Sequence, residues 1–181
     1  TGVTGAPTAV QGGLGLGTQN AAILATGYAG PTNHPAAQEY DGTNWSAGGT
    51  VITVRDLPGG FGTQNATVMA GGGTPSGKIS CTEEYNGTAW ATGGALPSIN
   101  GQQGGAGTQS DGLVFGGESN TTQTLTYNGA IWSISTSLPS ARMNMAADCV
   151  GTSTAAMAVA GRSPTVLATT ELYNANSITC A

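Results

Sequence analysis

A six-residue phrase recurs along the chain: Tyr40-Asp41-Gly42-Thr43-Asn44-Trp45, Tyr85-Asn86-Gly87-Thr88-Ala89-Trp90 and Tyr127-Asn128-Gly129-Ala130-Ile131-Trp132. A worn copy, Tyr173-Asn174-Ala175-Asn176-Ser177-Ile178, closes the sequence. The phrase holds all three tryptophans and four of the five tyrosines, so whatever core the chain builds is built on it. Asp-Gly and Asn-Gly tolerate the left-handed backbone of a tight loop between antiparallel strands, and each copy therefore predicts a hairpin. A two-residue Asn86-Gly87 loop sets Tyr85 opposite Thr88 and Glu83 opposite Trp90, with the two rings diagonal on one face. Tyr40, Trp45, Tyr85, Trp90, Tyr127, Trp132 and Tyr173 are thereby expected to be core aromatics, each Tyr–Trp pair adding about 0.5–1.5 kcal/mol beyond its buried area.

The phrase belongs to a longer repeat. Gly17-Thr18-Gln19, Gly62-Thr63-Gln64 and Gly107-Thr108-Gln109 are each 45 residues apart, and Gly151-Thr152-Ser153 follows after 44. An apolar run comes next each time (residues 21–25, 66–70, 112–115 and 155–160) and stops at glycine. These runs do not alternate, which fits strands covered on both faces. A loop, a strand ending at Tyr, the turn, a strand carrying Trp and a link containing Pro58, Pro97 or Pro139 complete the unit. Four short strands in a period of about 45 residues mark a β-propeller. The expected fold is thus all-β: one domain over residues 1–181, with repeats near 11–58, 59–100, 101–140 and 141–181, and residues 1–10 completing the last blade. Residues 141–150 contain helix formers, but their phase assigns them to a strand.

Composition narrows the class. Glycine is 31 of 181 residues and charged residues only 7%, with Thr, Ser and Asn filling the polar positions. Disordered chains are usually charged and lack regular apolar runs, so an ordered β fold is the better reading. The net charge is −5, and Arg55, Lys78, Arg142 and Arg162 are the only cations. Four scattered cations make no basic patch, and nucleic acid is not an expected partner. No apolar run reaches membrane-spanning length. Thr1 in place of an initiator Met fits a processed chain or a piece of a longer one. Cys81, Cys149 and Cys180 show no CxxC spacing; they read as buried free thiols or as one disulfide with an odd thiol.

The Gly-Gly pairs at 71–72 and 116–117, the Tyr ending the third strand and the Trp after the turn resemble the kelch repeat. The fuller pattern, ending in Glu83-Glu84-Tyr85-Asn86-Gly87-Thr88-Ala89-Trp90, is similar to kelch-like arrays in tail and structural proteins of marine bacteriophages. The resemblance covers essentially the whole chain. It implies a propeller, of four units by the count of repeats, and leaves the function open, because propellers host enzymes, receptors and scaffolds alike. The fourth unit departs from it, with Ala160-Gly161 for Gly-Gly and Ile178 for Trp, as a capping repeat does.

No catalytic constellation is expected. Copper oxidases of kelch-like fold need several His and Tyr ligands, and this chain has a single histidine, His34. A hydrolytic triad would have only His34 as base. Glu83 and Glu84 are neighbours on a strand and point to opposite faces. Neither metal nor cofactor is expected. The loops after the second strand of each unit share one rim with the links between units. That rim is expected to gather Tyr28, His34, Arg55, Lys78, Glu118, Arg142 and Arg162, as a contact surface for a glycan, a receptor or a neighbouring subunit. Of the four sequons (Asn44, Asn65, Asn86, Asn120), Asn120 is the most loop-like candidate for glycosylation. The expected role is a non-enzymatic structural and adhesive module. It would sit on a virion surface or outside the cell, or build a filament through its terminal strands.

Overall fold

The computed structural model describes residues 4–118, 121–145 and 150–175, and the backbone of residues 177–180. Among the described residues there is no helix, and the architecture is several antiparallel sheets. The first sheet is a meander of β1 (Leu14–Thr18), β2 (Ala21–Ala25), β3 (Ala36–Tyr40) and β4 (Trp45–Thr50). The second contains β5 (Gly59–Thr63) and β6 (Ala66–Ala70). A small hairpin, β7 (Gly73–Thr74) and β8 (Gly77–Lys78), follows before β9 (Thr82–Tyr85) and β10 (Trp90–Thr92) complete that sheet. The third runs β11 (Gly104–Thr108), β12 (Asp111–Phe115), β13 (Thr124–Tyr127) and β14 (Trp132–Ile134). In the fourth, β15 (Ala155–Val159) leads through the hairpin β16 (Arg162–Ser163) and β17 (Thr165–Val166) to β18 (Thr170–Asn174) and β19 (Ser177–Cys180). The innermost position of this sheet is marked by one bridge, Gly151 to Ala156. Residues 141–145 and Val150 are not helical; residues 146–149, Cys149 among them, lie outside the described residues.

The register of the aromatic hairpins differs from the two-residue expectation. Tyr85 pairs directly with Trp90, Tyr40 with Trp45 and Tyr127 with Trp132, so Glu83 faces Thr92 rather than Trp90. The loop spans residues 86–89. The Asn86 Oδ1 accepts from the N–H groups of Thr88 and Ala89 at 3.0 and 2.9 Å, which holds a wider loop than Asn-Gly alone would close. Asp41 and Asn128 do the same. Those backbone donors, from Asn44 and Thr43, hold the Asp41 carboxyl below its ordinary range. Direct opposition puts the ring centroids 5.1, 5.0 and 4.7 Å apart, inside the distance at which aromatic pairs attract.

Consecutive sheets pack face to face. Leu14, Leu16, Ile23 and Ala37 of the first sheet bury Met69, Tyr85 and Trp90 of the second. Phe61, Val68 and Leu96 meet Val114, Leu125, Tyr127 and Trp132, and Leu113 and Phe115 meet Ala156, Ala158 and Tyr173. The Gly-Thr-Gln turns lock these interfaces. Gln64 Nε2 donates to the carbonyls of Ala22 and Tyr40 at 3.0 and 2.9 Å, and Gln109 Nε2 to those of Thr67 and Tyr85 at 3.3 and 2.8 Å. Trp132 Nε1 donates to Thr82 Oγ1 and the Gly94 carbonyl.

Among the described residues no core cluster joins the fourth sheet back to the first. Residues 4–10 do not complete the fourth sheet as expected, and β19 occupies the outer edge of β18. Residues 4–10 lie over the first sheet instead. Thr8 N donates to Gln38 Oε1 just as Thr53 N, 45 residues on, donates to Glu83 Oε1. Trp90 and Trp132 are buried as predicted, whereas Trp45 is only half-buried because no sheet covers its face. Cys81 is exposed rather than buried.

Four equivalent residues lie at the inner ends of the sheets. Leu57 N donates to Gly12 O at 2.6 Å, Gln102 N to Leu57 O at 2.8 Å and Asn144 N to Gln102 O at 3.2 Å. All four are left-handed, with φ of +63° at Gly12, +48° at Leu57, +59° at Gln102 and +50° at Asn144. Such backbone costs on the order of 1 kcal/mol or more at each non-glycine position, and the hydrogen-bonded chain is what holds it. The four residues and their successors surround a cavity of about 110 Å³.

Candidate functional site

This chain of inner residues opens onto the loops that follow β2, β6, β12 and β15. The Tyr28 backbone pairs with Gln11 at 2.8 and 2.9 Å and bridges to Asn33, which fixes the loop after β2 to the inner end of the first sheet. Its ring remains 39% exposed. Gln11, Gly12, Tyr28, Asp56 and Leu57 line an open depression of about 400 Å³. An aromatic face flanked by a carboxylate and a primary amide offers a stacking platform with both donors and acceptors, a combination suited to a polyhydroxylated ligand.

The remaining rim residues divide into two groups. Lys78 Nζ lies 3.0 Å from Glu118 Oε2, tying the loops of the second and third sheets together at a partly exposed position. Gln102 Nε2 reaches the other Glu118 oxygen at 3.4 Å. Asn33 Nδ2 donates to Gly73 O at 3.3 Å, which ties the first loop to the second. His34 is half-buried, and its Nδ1 accepts from the Ala36 N–H at 3.2 Å. Arg162 is exposed beside Met143, to which its backbone bridges.

Arg55 and Arg142 are not on the rim surface. Each guanidinium is fully buried and paired with an equally buried glutamate. Arg55 binds Glu83 and donates to the carbonyls of Thr53, Gly71 and Cys81. Burial pulls the Arg55 pKa down, and the facing Glu83 opposes that shift. Arg142 lies 2.6 Å from Glu171 and donates to the carbonyls of Ala160 and Thr169 and to Ser140 Oγ. The charge of both arginines is thus neutralised inside the protein. Asn100 holds the equivalent place in the third sheet, where its Nδ2 donates to Gly116 O.

Sequence reasoning missed Asp56 and Gln11 on the rim and the Gln64 and Gln109 clamps. The clamps had a signal, the fixed place of Gln in each Gly-Thr-Gln turn; the rim pair had none. Asn120 lies outside the described residues. Among those described, no three His, Cys, Asp or Glu side chains gather as a metal site would need. No helix among them is long and apolar enough to cross a membrane. No protein-family model matches the chain, and no curated protein matches it.

Proposed function

We propose that this protein is a non-enzymatic structural and adhesive module. In this reading its four sheets are blades of a kelch-like β-propeller, and its loop rim contacts a glycan, a receptor or a neighbouring subunit on a virion or outside a cell. The observation that carries it is where the charged groups have gone. Arg55, Glu83, Arg142 and Glu171 are paired inside the sheets, and Lys78 and Glu118 tie neighbouring loops, so these six ionisable side chains hold the scaffold. The hydrogen-bonded succession Gly12, Leu57, Gln102, Asn144 supports a common axis, since equivalent residues of four units follow one another around a single cavity. Tyr28 and Asp56 then form the part of the rim open to a ligand.

A glycan array probed with the purified chain, beside its Tyr28→Ala variant, tests the adhesive part. The expected result is selective retention of saccharides that falls at least tenfold with Tyr28→Ala while the melting temperature holds. Equal retention by both proteins removes Tyr28 from the site. A second reading, the repeating subunit of a filament, is favoured by the outer faces of the first and fourth sheets, which no other sheet covers among the described residues.

A further inference from the structure

Each inner interface of the array joins the same two kinds of face. At the first two interfaces one face bears a glycine on the inner strand together with the Tyr–Trp pair, and at the third Tyr173 packs with Ala156 and Ala158. On the second sheet this face is so closely covered that a Cβ added to Gly60 would lie 2.7 Å from the Leu14 side chain. On the third, a Cβ on Gly105 would lie 2.2 Å from Gly60 O. On the first sheet a Cβ added to the equivalent Gly15 would meet no atom of the described residues within 4 Å. Gln19, which corresponds to the clamping Gln64 and Gln109, is exposed, and Tyr40 and Trp45 are half-buried. Gly15, Ala22, Leu24 and Trp45 line an open depression of about 360 Å³ there.

The opposite kind of face is apolar and buried on the first three sheets: Leu16 with Ile23, Phe61 with Val68, Ala106 with Leu113, none more than 5% exposed. Their equivalents on the fourth sheet are Val150 and Met157, set in the same register by the bond from Met157 N to Val150 O. Val150 is 41% exposed and the neighbouring Leu172 38%, and the three residues line a depression of about 290 Å³. None of the residues named on either face is ionised, so bringing the two faces together desolvates no charge.

We infer that a second copy of this chain docks its fourth sheet onto the first sheet of its neighbour, continuing the sheet-on-sheet interface already made three times within each molecule. A second copy is the fitting occupant because every molecule carries both halves of that interface, one at each end. The contact is head-to-tail, so it builds a ring where the rotation closes and a filament where it does not. The inference rests on sheet packing and not on the rim, so glycan binding and self-association stand or fall separately.

Sedimentation of the whole chain from micromolar to near-millimolar concentration tests it. The wild-type chain is expected to associate as concentration rises. Gly15→Val, which places a side chain in the seat left open on the first sheet, should weaken association at least tenfold with the melting temperature of the dilute protein unchanged. Leu172→Glu should do the same from the other end. An equimolar mixture of the two variants should form a mixed dimer, since each retains the half that the other has lost. A wild-type chain that stays monomeric throughout overturns the proposal, as does undiminished association of both variants. A dilute monomer destabilised by Gly15→Val overturns it too, because it shows the first sheet already covered by the chain's own fourth sheet.

Discussion

The phenol of Tyr85 on the second sheet donates to the Glu39 carboxylate on the first at 2.8 Å, and Tyr127 repeats the contact one sheet on, reaching Glu84 at 2.6 Å. Burial first, and then the facing carboxylate, push both phenol pKa values up from 10.0 to about 12. A group whose folded pKa is raised contributes stability that is whole below its unfolded value and is lost as pH climbs through the folded one. Urea unfolding should therefore show no loss from these phenols up to about pH 10 and a falling midpoint from there to about 12. Tyr85→Phe should cost about 1.5–3 kcal/mol at neutral pH, because it removes a hydrogen bond to a charged acceptor, and should flatten the alkaline fall. An unchanged alkaline limb in the Tyr85→Phe, Tyr127→Phe double variant would assign that fall to other groups.

The buried Arg55–Glu83 pair makes a different prediction. Glu83→Gln leaves a guanidinium in a dry site without its counter-charge, and the expected cost is about 3–5 kcal/mol by urea unfolding. The third sheet shows how the same place is filled without charge: Asn100 stands for the arginine and Leu125 for the glutamate. The double variant Arg55→Asn, Glu83→Leu should therefore recover most of what Glu83→Gln loses. A double variant no more stable than Glu83→Gln would mean that the guanidinium's bonds to Gly71 and Cys81 outweigh its charge pairing.

Equivalent tryptophans should respond unequally. Trp132→Ala removes a buried ring and two indole hydrogen bonds to the second sheet, with an expected loss of about 3–5 kcal/mol. Trp45 holds the same place in the repeat. Its half-buried ring on an uncovered face lowers the expected loss to less than about half of that in the dilute chain. Thermal unfolding of the two variants side by side measures the ratio, and equal losses would show that the face of Trp45 is covered in solution.

Most of the repeat was legible because its period is written in residues that do one thing. Glycine at 17, 62, 107 and 151 marks a left-handed turn, and a Cβ at Gly17 would sit 2.2 Å from Ala21 O. The aromatic pairs mark the hairpin, although their register was off because Asn86 caps a four-residue loop with its side chain. The burial of Arg55 and Arg142 was illegible locally. A lone arginine in a polar link reads as solvated, and only the glutamate 28 or 29 residues further on, brought back by the meander, reveals the pair. The rim suffered from the same limit, because Asp56 meets Tyr28 only through packing of two sheets.

The glycines of the inner strands give a matched comparison within one fold. Gly105 has ordinary backbone torsion, so its need for glycine is purely spatial: the Gly60 carbonyl occupies the place of a side chain. Gly105→Ala forces the second and third sheets apart and is expected to cost about 1–3 kcal/mol or more. At Gly15, the same position of the repeat, a Cβ would meet no atom of the described residues within 4 Å, so Gly15→Ala in the dilute chain should be neutral or stabilise by up to about 1 kcal/mol, by restricting the unfolded chain. Chemical denaturation of both variants at low protein concentration decides the matter. A Gly15→Ala loss as large as that of Gly105→Ala would show a fourth interface closed within the molecule, whereas a clear difference leaves the first sheet's face open for a partner.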